Sequence, residues 1–432
     1  MNDILACIVL LLIGEFLLLK ERYIALSPLA LMCGSVLAVY ISQFWLMGLP
    51  YDQIGLIENL TELDNQTLEL LKASIRLSFY TFTVLVIAGL SWLSRSLNHE
   101  WRSLKAFPST SLSILTLLIL APLVFAFLGL GVGFSPSRML DRALHSRSYT
   151  YIKTGYGPIM LLRAVFLQIA AFASFLSLAH RPKNPDRILC CLTVVFLAFL
   201  GGSKINLVWN VVLGVLVIQK VYFRSLSSTL SRLKLLLFGG GTLFGVLIFA
   251  FFIIQKPGEV SRLEHLREVV YSYPKEAYYT ARVLSDFTWK PEYTELGIRN
   301  TLLVPVPRSI YPEKELELTY NKRFWRKKYE SFRPIFHTTT YGCLAEAHMM
   351  FGKLGPLVYG TVWALIVVSL YATLLTTRSM YVYFAASYLA VYIFYFFRAG
   401  FLFTNFWYWS IAILLAYVPL SKQWRISLWK AN

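Results

Sequence analysis

Long apolar stretches follow one another along most of the chain, joined by short polar connections, and one long polar stretch at 256–352 interrupts the pattern. A helix of about 20 apolar residues crosses the hydrocarbon of a bilayer, so runs of this kind read as spans. About eleven are predicted, at 4–19, 24–48, 75–94, 110–133, 158–179, 188–202, 205–222, 233–255, 354–376, 380–396 and 402–420. The expected fold is an all-α polytopic integral membrane protein in three parts. About eight spans occupy 1–255, a large outer loop subdomain with short helices occupies 256–352, and about three spans with a short tail occupy 353–432. Within the loop, Val260 to Tyr273 and Pro274 to Phe287 carry apolar residues at helical spacing, and Pro274 suits a first turn. Tyr320 to Tyr329 reads as an interfacial amphipathic helix, because Trp325 and Phe324 can sink among headgroups while Lys and Arg stems snorkel. Residues 50–70 are acidic and read as a short surface helix.

Composition narrows the class. With 57% hydrophobic and 15% charged residues, the chain lies outside the range of soluble domains. The 41 Lys and Arg against 23 Asp and Glu leave a net charge of +18, which calls for an anionic partner. In a bilayer that partner is the anionic lipid surface or a phosphorylated lipid. The basic residues are scattered among the spans and not collected on one soluble domain, which excludes nucleic acid. Of the five cysteines, four fall in apolar runs and behave as small hydrophobes, with the spacing of neither a disulfide framework nor a zinc site.

Charge also sets the expected orientation, since Lys and Arg near span ends favour the cytoplasm. Lys20 and Arg22, then Arg95, Arg102 and Lys105, then Arg181, Lys183 and Arg187, then Lys220, Arg224, Arg232 and Lys234, then Arg378, then Lys422, Arg425 and Lys430 fall on alternate connections. The N-terminus is therefore expected outside, the C-terminus inside and 256–352 outside. No basic residue precedes the first run and two follow it, the reverse of a cleaved signal peptide, so it reads as a retained span. The outer loop 134–157 runs against the rule, with Arg138, Arg142, Arg147 and Lys153 facing a single Asp141.

The chain contains no GxxxxGK[ST], no HExxH, no GxSxG, and no GxGxxG opening a helix after a strand. What remains is a set of cations expected at the outer face. Lys204 closes the turn Gly201-Gly202-Ser203-Lys204, and Arg308 lies between prolines in Val306-Pro307-Arg308-Ser309-Ile310-Tyr311-Pro312, which cannot be regular helix. Arg398 follows the aromatic run 392–397. An arginine fork matches phosphate oxygens in pairs and a lysine supplies a point charge, so the three converging would form a pyrophosphate clamp.

The order of these segments resembles a family. Gly-Gly-Ser-Lys in an outer turn is followed by Pro-Val-Pro-Arg-Ser-Ile-Tyr-Pro-Glu-Lys ending at Lys314. Then come Gly342-Cys343-Leu344-Ala345-Glu346-Ala347, Phe351-Gly352-Lys353-Leu354-Gly355 and Phe397-Arg398-Ala399-Gly400. Over about the last 230 residues this resembles the O-antigen and oligosaccharide repeat-unit polymerases of the Wzy type. The resemblance implies a multi-pass glycosyltransferase of the bacterial inner membrane whose active site faces the periplasm. Such enzymes transfer a growing glycan from undecaprenyl pyrophosphate to the terminal sugar of a lipid-linked repeat unit, alongside a chain-length regulator. The family pattern usually has arginine where this chain has Lys204, which keeps the charge and loses the fork.

The chemistry agrees with the cation set. A pyrophosphate-linked donor is already activated, so the protein must hold the leaving group and guide a hydroxyl to the anomeric carbon; no cofactor or metal is required. Lys204, Arg308, Arg398, Lys314 and Arg333 are the expected pyrophosphate ligands. A base would help deprotonate the acceptor. His337, whose ordinary pKa lies close to working pH, is the first candidate and Glu346 the alternative, Glu346 being equally suited to orient Arg308 or Arg398. Two rival readings remain: an O-antigen ligase using the same donor, and a lipid-linked oligosaccharide flippase, which should carry cations deep inside its spans, where Arg163 is the basic residue expected.

Overall fold

The computed structural model describes residues 1–19, 27–41, 44, 63–96, 104–105, 107–130, 133–144, 157–200, 204–222, 275–303, 306, 310, 342–399 and 404–420. Among these all regular structure is helical. In chain order the helices are α1 (Asn2–Leu19), α2 (Pro28–Val36), α3 (Asn65–Ser96), α4 (Ser109–Ser113), α5 (Ala121–Gly129), α6 (Pro136–Leu144), α7 (Gly157–His180) and α8 (Pro185–Leu200). They continue with α9 (Lys204–Tyr222), α10 (Lys275–Asp286), α11 (Pro291–Leu303), α12 (Gly342–Phe351), α13 (Gly355–Thr376), α14 (Met380–Ala399) and α15 (Thr404–Leu420). A π-helical turn, Leu37–Ile41, extends α2, and another, Ile114–Leu120, joins α4 to α5.

Among the described residues, five stretches are long and apolar enough to cross a membrane: Asn2–Leu19, Asn65–Ser96, Ser111–Gly129, Leu162–His180 and Gly342–Thr376. Pro28–Ile41, Val212–Tyr222, Met380–Ile393 and Trp409–Leu420 are shorter apolar helices. The predicted runs other than 233–255 therefore fall on helices, and 233–255, Val260 to Tyr273 and Tyr320 to Tyr329 lie outside the described residues.

Three boundaries differ from expectation. First, α3 starts at Asn65, so Glu69 belongs to a long apolar helix, bonded to Lys72 at 2.7 Å, and not to a separate acidic surface helix. The rest of that acidic stretch, 50–62, lies outside the described residues. Second, the expected loop 256–352 ends in α12, nearly all of whose residues are buried, so bundle packing resumes at Gly342 and not at 353. Third, α6 forms within 134–157, expected as an outer loop, whereas α11 is a short helix inside the stretch expected to hold them.

Asp64 fixes the start of α3. Its Oδ1 accepts the Thr67 backbone N–H at 2.7 Å and its Oδ2 the Thr67 hydroxyl at 2.9 Å, an N-cap that satisfies a donor the helix leaves orphaned. The Thr67 N–H holds this carboxyl below the usual carboxylate range. A depressed pKa in the folded state adds stability above the unfolded value and loses it as acid protonates the group. Asp64→Ala should therefore lower the thermal midpoint in detergent at neutral pH, with the gap to the parent closing in acid. A gap independent of pH would remove the cap from this account.

Contacts between helix ends define two ends of the bundle. At one, Lys220 donates to Leu374 O at 2.8 Å and Leu375 O at 3.1 Å, capping carbonyls that the last turn of α13 cannot pair. Tyr222 OH donates to Ala179 O, His180 Nε2 lies 2.8 Å from Leu104 O, and Arg187 Nη1 donates to Ser177 O at 2.7 Å. The connections that carry Lys105, Arg181, Lys183 and Arg378 thus gather at the same end. Lys220 and Arg187 are buried there along with Arg163 elsewhere on α7, so Arg163 is not alone as a buried basic residue.

At the opposite end Asp3 Oδ2 accepts Arg76 Nε at 2.7 Å and Tyr80 OH at 2.6 Å, tying α1 to the start of α3. There α10 packs on α3, on the π turn of α2 and on α12, and α11 packs on α12. Trp289 Nε1 donates to Met350 O at 3.0 Å and Thr294 Oγ1 to the same oxygen. The helix pair from the polar stretch is thereby fastened over one end of the bundle.

The contact between α3 and α13 organises the core. The two run in parallel, with Ser78 beside Gly360 and Gly89 beside Val368. A Cβ on Gly360 would overlap the Ser78 carbonyl, so glycine lets the backbones approach as small residues do between membrane helices.

Candidate functional site

Glu346 is buried in the middle of α12, beneath the α10–α11 cover. On the neighbouring face Ala345 and Met349 pack on Val283, with Tyr279 and Phe287 around them. Gly352, at φ +58°, turns the chain out of α12, and Gly355 starts α13 so tightly against Ala347 that a Cβ there would overlap its carbonyl. This tight turn folds α13 back beside α12 and brings Tyr359 to Glu346, where the tyrosine hydroxyl donates to Oε2. Trp363, one turn further along α13, and Tyr40, from the π turn after α2, sit beside the Cys343 thiol one turn before Glu346. A π turn places a side chain off the α-helical register, and such turns recur at functional sites. A small cavity lined by Tyr40, Ile75, Phe82, Leu344, Gly360 and Trp363 adjoins the cluster. His348 turns the other way, with Nε2 3.3 Å from Phe287 O.

The expected cations can be placed by height along the bundle. Each helical residue rises about 1.5 Å, so from the Lys220–Leu374 contact Lys204 stands about 24 Å up α9 and Tyr359 about 22 Å up α13. Because α13 ends at the Lys220 contact and α14 starts directly beyond it, α14 runs opposite to α9; Tyr383 OH donates to Leu216 O at 2.8 Å, and Arg398 lies about 22 Å above Tyr383. The start of α9, the end of α14 and the Glu346–Tyr359 pair therefore share the end that α10 and α11 cover. For Lys204 and Arg398 this is a statement of backbone position; their side chains lie outside the described residues, as do Arg308, Lys314, Arg333 and His337.

Sequence reasoning named Glu346 and missed its partners. Tyr359, Tyr40 and Trp363 lie inside apolar runs, where an aromatic residue reads as span filling. The available signal was that Tyr and Trp carry a polar tip that seeks a partner when buried. No family model, no curated protein and no solved structure matches this chain.

Proposed function

We propose that this chain polymerises undecaprenyl-pyrophosphate-linked oligosaccharide repeat units at the periplasmic face of a bacterial inner membrane. In this reading about eleven spans place the N-terminus and the polar stretch in the periplasm and the C-terminus in the cytoplasm. The reading rests on the resemblance of the segments around Lys204, Arg308, Glu346 and Arg398 to repeat-unit polymerases. The observation that supports it most is that the helix ends bearing Lys204 and Arg398 stand at the height of the buried Glu346–Tyr359 pair.

The reaction then runs as a single displacement. The acceptor sugar hydroxyl attacks the anomeric carbon of the donor glycan, the bond from that carbon to the pyrophosphate oxygen breaks, and undecaprenyl pyrophosphate leaves. Arg308 and Arg398 as forks, with Lys204, Lys314 and Arg333 as point or partial contacts, hold the charge that grows on the leaving oxygen. One preorganised contact of this kind is worth about 3 kcal/mol of barrier, roughly a hundredfold in rate. The acceptor proton passes to His337 or to Glu346.

Glycan profiling of cells carrying Lys204→Ala, Arg308→Ala or Arg398→Ala tests the proposal. Each variant should lose long polymer and keep single repeats, with a rate loss of about a hundredfold. An unchanged ladder in all three at normal protein level would overturn the clamp. Transfer to lipid A core as sole acceptor would instead identify a ligase.

A further inference from the structure

Among the buried side chains with a polar atom unmatched within the described residues are Gln168 (Oε1) on α7, Asn210 (both amide atoms) on α9 and Trp409 (Nε1) on α15, with the Ser387 hydroxyl on α14 close by in the same layer. Gln168, Asn210 and Ser387 are 1%, 1% and 0% exposed. Their helices touch, α7 meeting α9, α14 and α15, and α9 meeting α14.

Known contacts put the four in one layer. Tyr383 OH binds Leu216 O, the rings of Phe172 and Tyr383 lie 6.2 Å apart, and those of Tyr381 and Tyr417 lie 5.3 Å apart. Measured from these anchors toward the Glu346 end, Gln168 rises about 6 Å above Phe172, Asn210 about 9 Å above Leu216, Ser387 about 6 Å above Tyr383 and Trp409 about 12 Å above Tyr417. Tyr417 starts beside Tyr381, about 3 Å below Tyr383, so all four stand within roughly one helical turn of one level. The Ser387 hydroxyl lies in hydrogen-bond reach of the Tyr383 oxygen, which is open to accept because the Tyr383 proton goes to Leu216 O, so Ser387 brings to the layer the acceptor capacity of its own oxygen.

Buried polar groups are costly unless they find partners, and polar side chains inside membrane bundles face one another or water. This set offers donors at Asn210 Nδ2 and Trp409 Nε1, and acceptors at Gln168 Oε1, Asn210 Oδ1 and Ser387 Oγ. None is charged. The matching ligand both donates and accepts, is neutral, and is small enough to lie between packed helices. We propose that this layer is a water-binding site in the membrane interior, bridged by ordered water and not by direct side-chain pairs. It stands apart from the transfer reaction.

X-ray radiolysis of the purified full-length chain in detergent, after transfer into H2(18)O, reads out bound water as oxidation of adjacent rings. Tyr388, 1% exposed and next to Ser387, should take up label well above Phe107, which is equally buried. Asn210→Leu should return Tyr388 to the Phe107 level. Ser387→Ala, a smaller change that keeps the fold if Asn210→Leu does not, should lower it in part. Labelling of Tyr388 no greater than that of Phe107, or labelling unchanged in both variants, would overturn the proposal.

Discussion

Glu346→Gln is expected to lose as much polymer synthesis as Glu346→Ala, roughly a hundredfold to ten-thousandfold in rate, if the carboxylate takes the acceptor proton. The amide keeps the shape of the acid and its capacity to accept from Tyr359, but it cannot accept a proton at neutral pH. The two substitutions therefore separate a base from a positioning group, because a carboxylate that only orients a neighbour would be partly replaced by glutamine and not by alanine. Tyr359→Phe removes a hydroxyl that donates to Oε2 while preserving the ring between α12 and α13. It should cost less than either Glu346 variant. Turnover measured with purified protein and lipid-linked repeat units decides the matter, with His337→Ala run alongside. Near-normal turnover in Glu346→Gln together with a large loss in His337→Ala would move the base to the loop.

Gly360→Val should prevent normal accumulation of the protein in the membrane. The α3–α13 contact lies at the centre of the core, and the side chain would be driven into the Ser78 carbonyl with Thr81 Cβ 3.2 Å away. Backbone cannot rotate aside as a flexible side chain does, so the helices must separate. Overpacking a tight site typically costs about 1–3 kcal/mol, and here the obstacle is backbone. Gly14→Ala is the matched control, since nothing lies within 4 Å of a Cβ at that position in α1. Alanine there should be neutral or slightly stabilising because glycine is the poorer helix former. Thermal unfolding in detergent and membrane abundance should separate the two, and equal behaviour would mean that the close approach of α3 and α13 is not what holds the core.

Much of the architecture was legible because a span is a statement about composition over about 20 residues, which averages away single positions. Pro274 and the apolar spacing after it anticipated α10, and Lys220 and Arg187, two of the basic residues near predicted span ends, bond to neighbouring helices at one end of the bundle. The beginning of α3 was misplaced because Glu69 and Lys72 reduce the apolar signal over its first turns while Asp64 caps the helix locally. Burial of α12 was hidden for a related reason: at ten residues it is too short to read as a span, yet α10, α13 and α14 surround it. At the site, Glu346 stood out as a carboxylate at the start of a Gly-rich entry to a span. Its partners depend on the tight turn at Gly352–Gly355 and on which faces of α2 and α13 meet, and neither follows from periodicity.

The widened turn at Leu37–Ile41 carries a consequence for how variation in this region should be interpreted. It holds more residues per revolution than the helix before it, so a wheel drawn at 3.6 residues per turn through 24–48 falls out of phase partway along. The wide turn absorbs one extra residue, so deleting a single residue there would restore ordinary winding with the helix beyond facing as before, removing only the local displacement that brings the Tyr40 ring to the acid-bearing helix and leaving the hydropathy of the segment untouched.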